Sequence, residues 1–225
     1  MLKRNKPIKF TTLALILTCI IFTFGGCVTG TASNNTKESK VKVVVSFNAM
    51  REFASAIGKD KIDIITMIPN GTEPHDFEPT AKDFKNLSDA NVFVYSGFGM
   101  ESWKDKVLKS INNKNLIVVD ASKGSTPIKN GDSDEIKEHG QYDPHIWLSL
   151  KGAKNQSKNI KDTLVKADPS NKNFYEKNYS DFSKQLDDLY NEYNKKFQTV
   201  STKSFVTGHA AFAYLCRDFG LKQNS

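Results

Sequence analysis

The sequence predicts an α/β protein whose main sheet is parallel, and three patterns support this prediction. Four apolar runs typical of β-strands alternate with helix-like segments between residues 41 and 121. A long segment with helical periodicity follows from Asn171 to Gln198. The predicted helix is longer than a small lobe requires and could connect two lobes. A second strand-and-helix unit then opens near residue 203. Together these patterns indicate one α/β lobe, a connecting helix and the start of a second lobe.

Residues 1–26 have the features of a secretory leader. Four basic residues precede an uncharged, mostly apolar run from Phe10 to Phe24, and these 15 residues fall short of a membrane-spanning helix. The ending Gly25-Gly26-Cys27 resembles a bacterial lipobox, which implies that the Cys27 thiol is lipidated and that the mature chain begins there. The alternative is a soluble secreted protein in which this cysteine has no such role. We expect an anchor on the outer face of the cell membrane.

Charge and cysteine content narrow the class of protein. Removing the 4 basic residues of the leader from 32 leaves 28, against 25 acidic residues, so the mature chain carries about +3. Such a balance argues against a nucleic-acid partner. Only Cys216 remains outside the leader and the lipobox, so no disulfide framework is expected. Its helical spacing with Phe212, Leu215 and Phe219 predicts a buried structural thiol.

The segments follow one another in a simple order. Residues 27–40 are small and polar and predict a flexible tether. Residues 41–168 form the predicted N-terminal α/β lobe, which ends in a helix from about Ser149 to Ala167. Residues 169–200 hold the long helix, with a start signal at Asp168-Pro169-Ser170. Residues 201–225 begin the C-terminal lobe with a strand and the helix AAFAYLCRDFG.

Three of the four histidines follow predicted strands. His75 follows a run ending at Ile68, His145 stands at the exit of the long loop after the fourth run, and His209 follows the last predicted strand. Ligands of open α/β sheets bind beyond the carboxyl ends of strands, so these histidines have access to one cleft. Imidazole suits zinc, copper, iron or nickel. Spacings of 70 and 64 residues are weak evidence for a shared metal site, so ordinary loop and cap histidines remain the alternative at this point.

Longer strings around these histidines carry a family resemblance. GTEPHDFEPTAKD, SGFGMESW, YDPHIWLSL and TGHAAFAYLCRDFGL resemble, in order and spacing, the zinc- and manganese-binding lipoproteins of bacterial ABC importers, the solute-binding proteins of the ZnuA/TroA-like family. The resemblance covers about residues 41–221 and implies two α/β lobes joined by one long helix, with metal between them. It also implies that His75, His145 and His209 are ligands. The family's fourth ligand, a late carboxylate, has no counterpart before Ser225, so the second lobe is expected to be incomplete.

The third ligand bears on the choice of metal. Relatives with glutamate at this position resemble manganese carriers, whereas relatives with histidine tend towards zinc. The chemistry agrees, because three imidazoles favour zinc and manganese prefers an oxygen-rich shell. His209 therefore favours Zn2+, with a manganese-binding homologue as the alternative.

Residues beside the expected ligands have more than one interpretation. Glu73 and Asp76 could hydrogen-bond a ligand imidazole or merely shape a turn. Glu101 and Trp103 fit the family pattern GxGxExW, but the start of a helix with one packed aromatic ring explains them equally well. His139, in the acidic loop, is expected to be an ordinary exposed residue rather than a metal-collecting ligand.

The leading functional hypothesis is a receptor that captures zinc outside the cell and delivers it to an ABC permease. It is expected to be a lipid-anchored monomer with no enzymatic activity. A zinc hydrolase also needs three histidines and an open position, but the chain has no HExxH helix, and Glu73 and Asp76 have no evident nucleophile or oxyanion partner. An adhesin-like surface fragment with impaired metal binding, which would act in cell adhesion, is the third hypothesis.

Overall fold

The computed structural model describes residues 39–224, except positions 132, 134, 135, 138 and 139. The predicted leader, the predicted lipidation site Cys27, most of the predicted tether (27–38) and His139 lie outside the described residues. Within them, no helix is long and apolar enough to cross a membrane. The strands are β1 Val41–Val45, β2 Ile62–Thr66, β3 Val92–Tyr95, β4 Ile117–Asp120, β5 Ser204–Val206 and β6 Lys222–Asn224. The helices are α1 Asn48–Gly58, α2 Ala81–Ser88, α3 Lys104–Ser110, α4 Leu150–Ala167, α5 Lys172–Thr199 and α6 Ala213–Phe219.

The main sheet is parallel, with strand order β2-β1-β3-β4. Val43 in β1 stands opposite Ile64 of β2 on one side and Val92 of β3 on the other. The apolar run of β1 is nearly continuous because helices cover both faces of a parallel sheet, and Val43 and Val44 are each 1% exposed. The structure confirms the α/β class and the parallel sheet that the sequence predicts.

Helix α1 shows why its residues form a helix against this sheet. Met50, Phe53, Ala54 and Ile57 recur at positions i, i+3, i+4 and i+7, which places them on one face. All four are buried. This face belongs to the hydrophobic core that β1, β3, α4 and α5 also line, so the helix owes its position to apolar burial rather than to end caps.

Helix α5 spans 28 residues, or about 42 Å. Its first half is fixed to the N-terminal lobe, because Tyr175 is fully buried and the Asn178 side-chain amide donates to the Ile57 carbonyl at 2.9 Å. Its second half contacts α6, where the rings of Tyr190 and Phe219 lie 5.1 Å apart. The structure therefore confirms the long helix predicted from the sequence, and this helix contacts both the N-terminal lobe and helix α6 of the C-terminal segment.

The C-terminal segment contains a second, two-stranded parallel sheet, in which Phe205 of β5 stands opposite Gln223 of β6. Helix α6 connects the two strands and ends at Gly220, whose φ of 64° is a left-handed conformation that favours glycine. Cys216 on α6 is buried, and its burial raises the pKa of its thiol. Both observations agree with the structural thiol that the sequence predicts.

Candidate metal centre

The structure brings His75, His145 and His209 together. One ring nitrogen of each lies within 4.8 Å of the other two. The closest pair is Nε2 of His145 and Nε2 of His209, which are 3.0 Å apart. Among the residues that the structure describes, these three side chains form the group of possible metal ligands. The sequence singled out the same three residues, and their role as ligands remains a prediction.

His75 is placed by the loop between β2 and α2. Its backbone N–H donates to Oε1 of Glu73 at 3.4 Å, and its ring Nε2 lies 4.0 Å from the same oxygen. The loop ends at a capping box, in which the Asp83 carboxylate accepts from the Thr80 backbone N–H at 2.8 Å. The Glu73 side chain is 59% exposed, so its contact with the His75 ring is weak. Asp76 is exposed.

His145 is held far more firmly than His75. Oδ1 of Asp143 accepts from the His145 backbone N–H at 2.8 Å and from ring Nδ1 at 2.9 Å, and both residues are buried. Because a carboxylate only accepts, this bond places the proton on Nδ1 and the lone pair on Nε2. Nε2 is the atom that faces His209. A carboxylate that orients a ligand imidazole in this way is a common support of metal sites.

Asp143 is a functional residue that was not expected from the sequence. Glu73 and Asp76 were the candidate partners of the ligand imidazoles, whereas in the structure the closest such contact is made by Asp143. A signal was present, because an aspartate two residues before a proline-flanked histidine is typical of a turn in which the carboxylate accepts from the backbone N–H two residues on.

His209 lies in the turn that follows β5 and is exposed. Its backbone carbonyl accepts from the Thr207 hydroxyl at 2.9 Å and from the Gln223 side-chain amide at 2.7 Å. Gln223 also accepts from the Phe212 backbone N–H at 2.8 Å. Strand β6 therefore fixes the turn through one side chain, while the imidazole stays open to solvent.

The donor set fits a zinc ion. Two nitrogens bound to one tetrahedral zinc at about 2.0–2.1 Å lie about 3.3–3.4 Å apart. The 3.0 Å between the Nε2 atoms of His145 and His209 needs only a few tenths of an ångström of adjustment. Imidazole nitrogen is also a borderline ligand that suits zinc better than manganese. The His145 imidazole is buried and would hold such an ion on the protein side, whereas the His209 imidazole is exposed and would bind it on the solvent side.

The motif SGFGMESW, residues 96–103, supports the fold. Glu101 is buried, and its carboxylate accepts from the backbone N–H groups of Ser96 at 2.8 Å and Gly97 at 3.2 Å. Burial raises the pKa of this carboxyl. Trp103 packs its ring 5.5 Å from that of Phe77. Neither residue belongs to the histidine group, which agrees with the structural interpretation of the pattern.

Comparison with known families decides the assignment. The profile of the ZnuA family, described as zinc-uptake complex component A, periplasmic, matches residues 43–225. The chain belongs to the ZnuA family. The high-affinity zinc uptake system protein ZnuA of Bacillus subtilis is 38% identical over 224 residues, which cover 96% of this chain and 70% of that protein.

Solved structures give the same result for this ZnuA-family chain. Zn(II)-bound AdcA from Streptococcus pneumoniae superposes with a TM-score of 0.75 at 34% identity, over 82% of this chain and 39% of that one. The metal-dependent lipoprotein YcdH from Bacillus subtilis superposes with a TM-score of 0.75 at 41% identity, over 82% and 66%. The chain thus spans from about two fifths to about two thirds of the length of these two-lobed neighbours, and over the aligned residues it shares their α/β fold.

Proposed function

We propose that this protein is the zinc-binding component of a metal ABC transporter, and that His75, His145 and His209 bind the ion. The observation that carries the proposal is the convergence of three imidazole nitrogens within 4.8 Å in a chain of the ZnuA family. The related proteins named for zinc uptake and solved with Zn(II) support the choice of metal. A fourth donor, water or a further group, completes a tetrahedral shell.

The site suits reversible capture rather than catalysis. His145 and Asp143 form a buried, preoriented side, while His209 is exposed and gives the ion a route in and out. The carboxylate next to His75, that of Glu73, is largely exposed and makes weak contacts, so it is a poor general base. Release to a membrane permease then requires only that the segments carrying His145 and His209 move apart.

Titration calorimetry tests the ligand assignment. The purified chain, stripped of metal with a chelator, is expected to bind one zinc ion. Four ligands share roughly 10–16 kcal/mol in structural zinc sites, so removing one costs about 3 kcal/mol, or about 100-fold in affinity. His145→Ala and His209→Ala are each expected to show this loss. His139→Ala, which the sequence does not assign to the site, serves as the matched control and is expected to leave affinity unchanged.

Two outcomes of this titration would contradict the proposal. Failure of the wild-type chain to bind zinc would remove the proposed function. A loss in His139→Ala as large as that in His145→Ala would remove the ligand assignment. Manganese competition in the same experiment tests the alternative metal: a tenfold excess of Mn2+ is expected to displace no zinc, because the donor set is nitrogen. Displacement by manganese would favour the manganese-binding alternative.

Anchoring at the outer face of the membrane is part of the same proposal. It is supported by the lipobox-like ending at Cys27 and by the similarity to the metal-dependent lipoprotein YcdH from Bacillus subtilis. Cys27→Ser, expressed in a bacterial host, is expected to move the protein from the membrane fraction to the soluble extracytoplasmic fraction. Continued membrane attachment of Cys27→Ser would contradict lipidation at this residue.

A further inference from the structure

Helix α6 lies against the segment that carries His145. Two side chains one turn apart on this helix make the contact, Tyr214 and Asp218. The Tyr214 hydroxyl donates to the Asp143 backbone carbonyl at 2.8 Å, and the Asp218 carboxylate accepts from the Ser149 hydroxyl at 2.5 Å. Tyr214 is fully buried and Asp218 is 9% exposed. The helix therefore contacts both ends of the segment 143–149.

The Tyr214 hydroxyl also closes a ring of hydrogen bonds around Asp143. The Asp143 backbone N–H donates to the Ile128 carbonyl at 2.9 Å. The Ile128 N–H donates at 3.1 Å to the Tyr214 oxygen, which donates in turn to the Asp143 carbonyl. Both backbone groups of Asp143 are thereby fixed. The side chain that accepts from Nδ1 of His145 thus sits on a backbone that Tyr214 holds in place.

The Tyr214 ring also packs beside a loop with an unusual backbone conformation. Gly97, Phe98 and Gly99 have φ values of 99°, 53° and 94°. Phe98 has a side chain in this left-handed region, a conformation that is costly for a non-glycine residue. The loop is retained because Glu101 accepts from the Gly97 N–H. It places the Phe98 ring parallel to that of Tyr214, with centroids 6.4 Å apart and an interplanar angle of 1°.

We infer that Tyr214 is a positioning residue for the metal centre, acting through Asp143 on the imidazole of His145. The inference rests on the proposed function and extends it. Tyr214 follows His209 by five residues on the same short segment, so one hydroxyl ties the part of the chain that carries His209 to the residue that orients His145. It sets the spacing of the two nitrogens, 3.0 Å apart, through the backbone of Asp143.

Tyr214→Phe tests the inference because it removes the hydroxyl and keeps the ring against Phe98. Zinc affinity, measured by titration calorimetry, is expected to fall about tenfold, the low end of the range for residues that support metal ligands. Tyr175→Phe is the matched control. Tyr175 is equally buried and its hydroxyl also donates a hydrogen bond, at 2.7 Å to Asp168, but it lies on α5 away from the histidine group. Its zinc affinity is expected to stay within twofold of wild type.

A second measurement works without metal. Nitrogen-15 NMR of the metal-free protein reports which ring nitrogen of His145 carries the proton. In the wild type and in Tyr175→Phe we expect the Nδ1-protonated tautomer, because Asp143 accepts from Nδ1. In Tyr214→Phe we expect a mixture of tautomers, because the Asp143 carbonyl and the Ile128 N–H both lose their hydrogen-bond partner and the Asp143 carboxylate is held less firmly. If the Tyr214 hydroxyl had a purely structural role, thermal stability would fall in both variants, but the His145 tautomer and the zinc affinity would stay the same as in the wild type.

These readouts separate the inference from the proposed function. Equal affinities in wild type and Tyr214→Phe, with an unchanged tautomer, would overturn the positioning role. Equal losses of affinity in Tyr214→Phe and Tyr175→Phe would do the same, because a general loss of stability would explain them. If the wild type binds no zinc, the proposed function fails, and the tautomer of His145 in Tyr214→Phe still decides whether Tyr214 positions this ring.

Discussion

Replacing Asp143 with alanine removes the carboxylate that holds His145. Two donors of His145, its backbone N–H and its Nδ1–H, lose their acceptor in a buried environment. Each orphaned donor costs roughly 1–3 kcal/mol, so the free energy of unfolding is expected to fall by about 3 kcal/mol. Loss of such a support typically weakens metal binding about 10–100-fold, because the ligand ring loses its orientation and tautomer.

Two further variants separate orientation from charge. Asp143→Asn retains an oxygen acceptor at the same place, so zinc affinity is expected to fall less than in Asp143→Ala. Glu73→Ala removes the carboxylate beside His75, which is largely exposed and makes only long contacts. Its zinc affinity is expected to change less than threefold, since exposed pairs contribute little.

The assays are titration calorimetry with zinc and urea unfolding of the metal-free protein. Each variant is measured beside the wild type in both. Wild-type affinity in Asp143→Ala would refute the claim that this carboxylate organises the centre. So would a larger loss of affinity in Glu73→Ala than in Asp143→Ala, which would return the supporting role to the loop before His75.

Three further outcomes concern the fold. Gly97→Ala is expected to lower the free energy of unfolding by about 2–4 kcal/mol, because a Cβ there would lie 2.3 Å from Asp120 Oδ1 and from Ser122 Oγ at a φ of 99°; urea unfolding as stable as wild type would contradict this close packing. Leu164→Ala, at a fully buried position, is expected to cost about 3 kcal/mol in the same assay, and a cost under 1 kcal/mol would show that α4 packs loosely. Burial raises the pKa of the Glu101 carboxyl above its ordinary value of 4.5. Between pH 4.5 and the raised pKa, the folded chain therefore holds a proton on Glu101 that the unfolded chain has lost. Wild-type stability is therefore expected to fall as pH rises from 4.5 through the raised pKa, and Glu101→Gln to lack that part of the slope; identical pH profiles would contradict it.

The strands were predictable because the central strands of this parallel sheet, β1 and β3, are buried on both faces and therefore consist almost entirely of apolar residues. The runs around Val43, Ile64, Phe93 and Val118 are nearly continuous in apolar residues, and all four became neighbouring strands. The long helix was equally visible from its period of three to four residues.

Helix starts were less predictable because side chains compete for backbone groups at these positions. The sequence suggests a helix from Glu101, whereas α3 begins at Lys104, since the Glu101 carboxylate is engaged with the preceding loop. Likewise the predicted helix at Ala210 begins at Ala213. Gln223, eleven residues away from Phe212, holds the intervening turn by accepting from its backbone N–H. Such contacts have no local periodicity.

The candidate site divides in the same way. His75, His145 and His209 were predictable because each follows a strand and each stands in a recognisable motif, and the structure brings them together. Among the supports of the site, Asp143 has a local signal in its position two residues before His145, whereas Tyr214 has none. Tyr214 meets Asp143 across 71 residues, and nothing in the sequence near either one records that contact. Long-range hydrogen bonds between loops depend on the finished tertiary structure.

The position of the three histidines beyond strand ends has a consequence for how such proteins diversify. The apolar residues that stabilise the sheet and the proposed metal ligands occupy different stretches of the chain, so selection can act on one set without disturbing the other. His209 is the clearest case, because it is exposed and its turn is held through its backbone carbonyl rather than its ring. On the proposed ligand assignment, replacing the nitrogen donor of His209 by an oxygen donor would favour an ion that prefers oxygen ligands, while the hydrophobic core stayed the same.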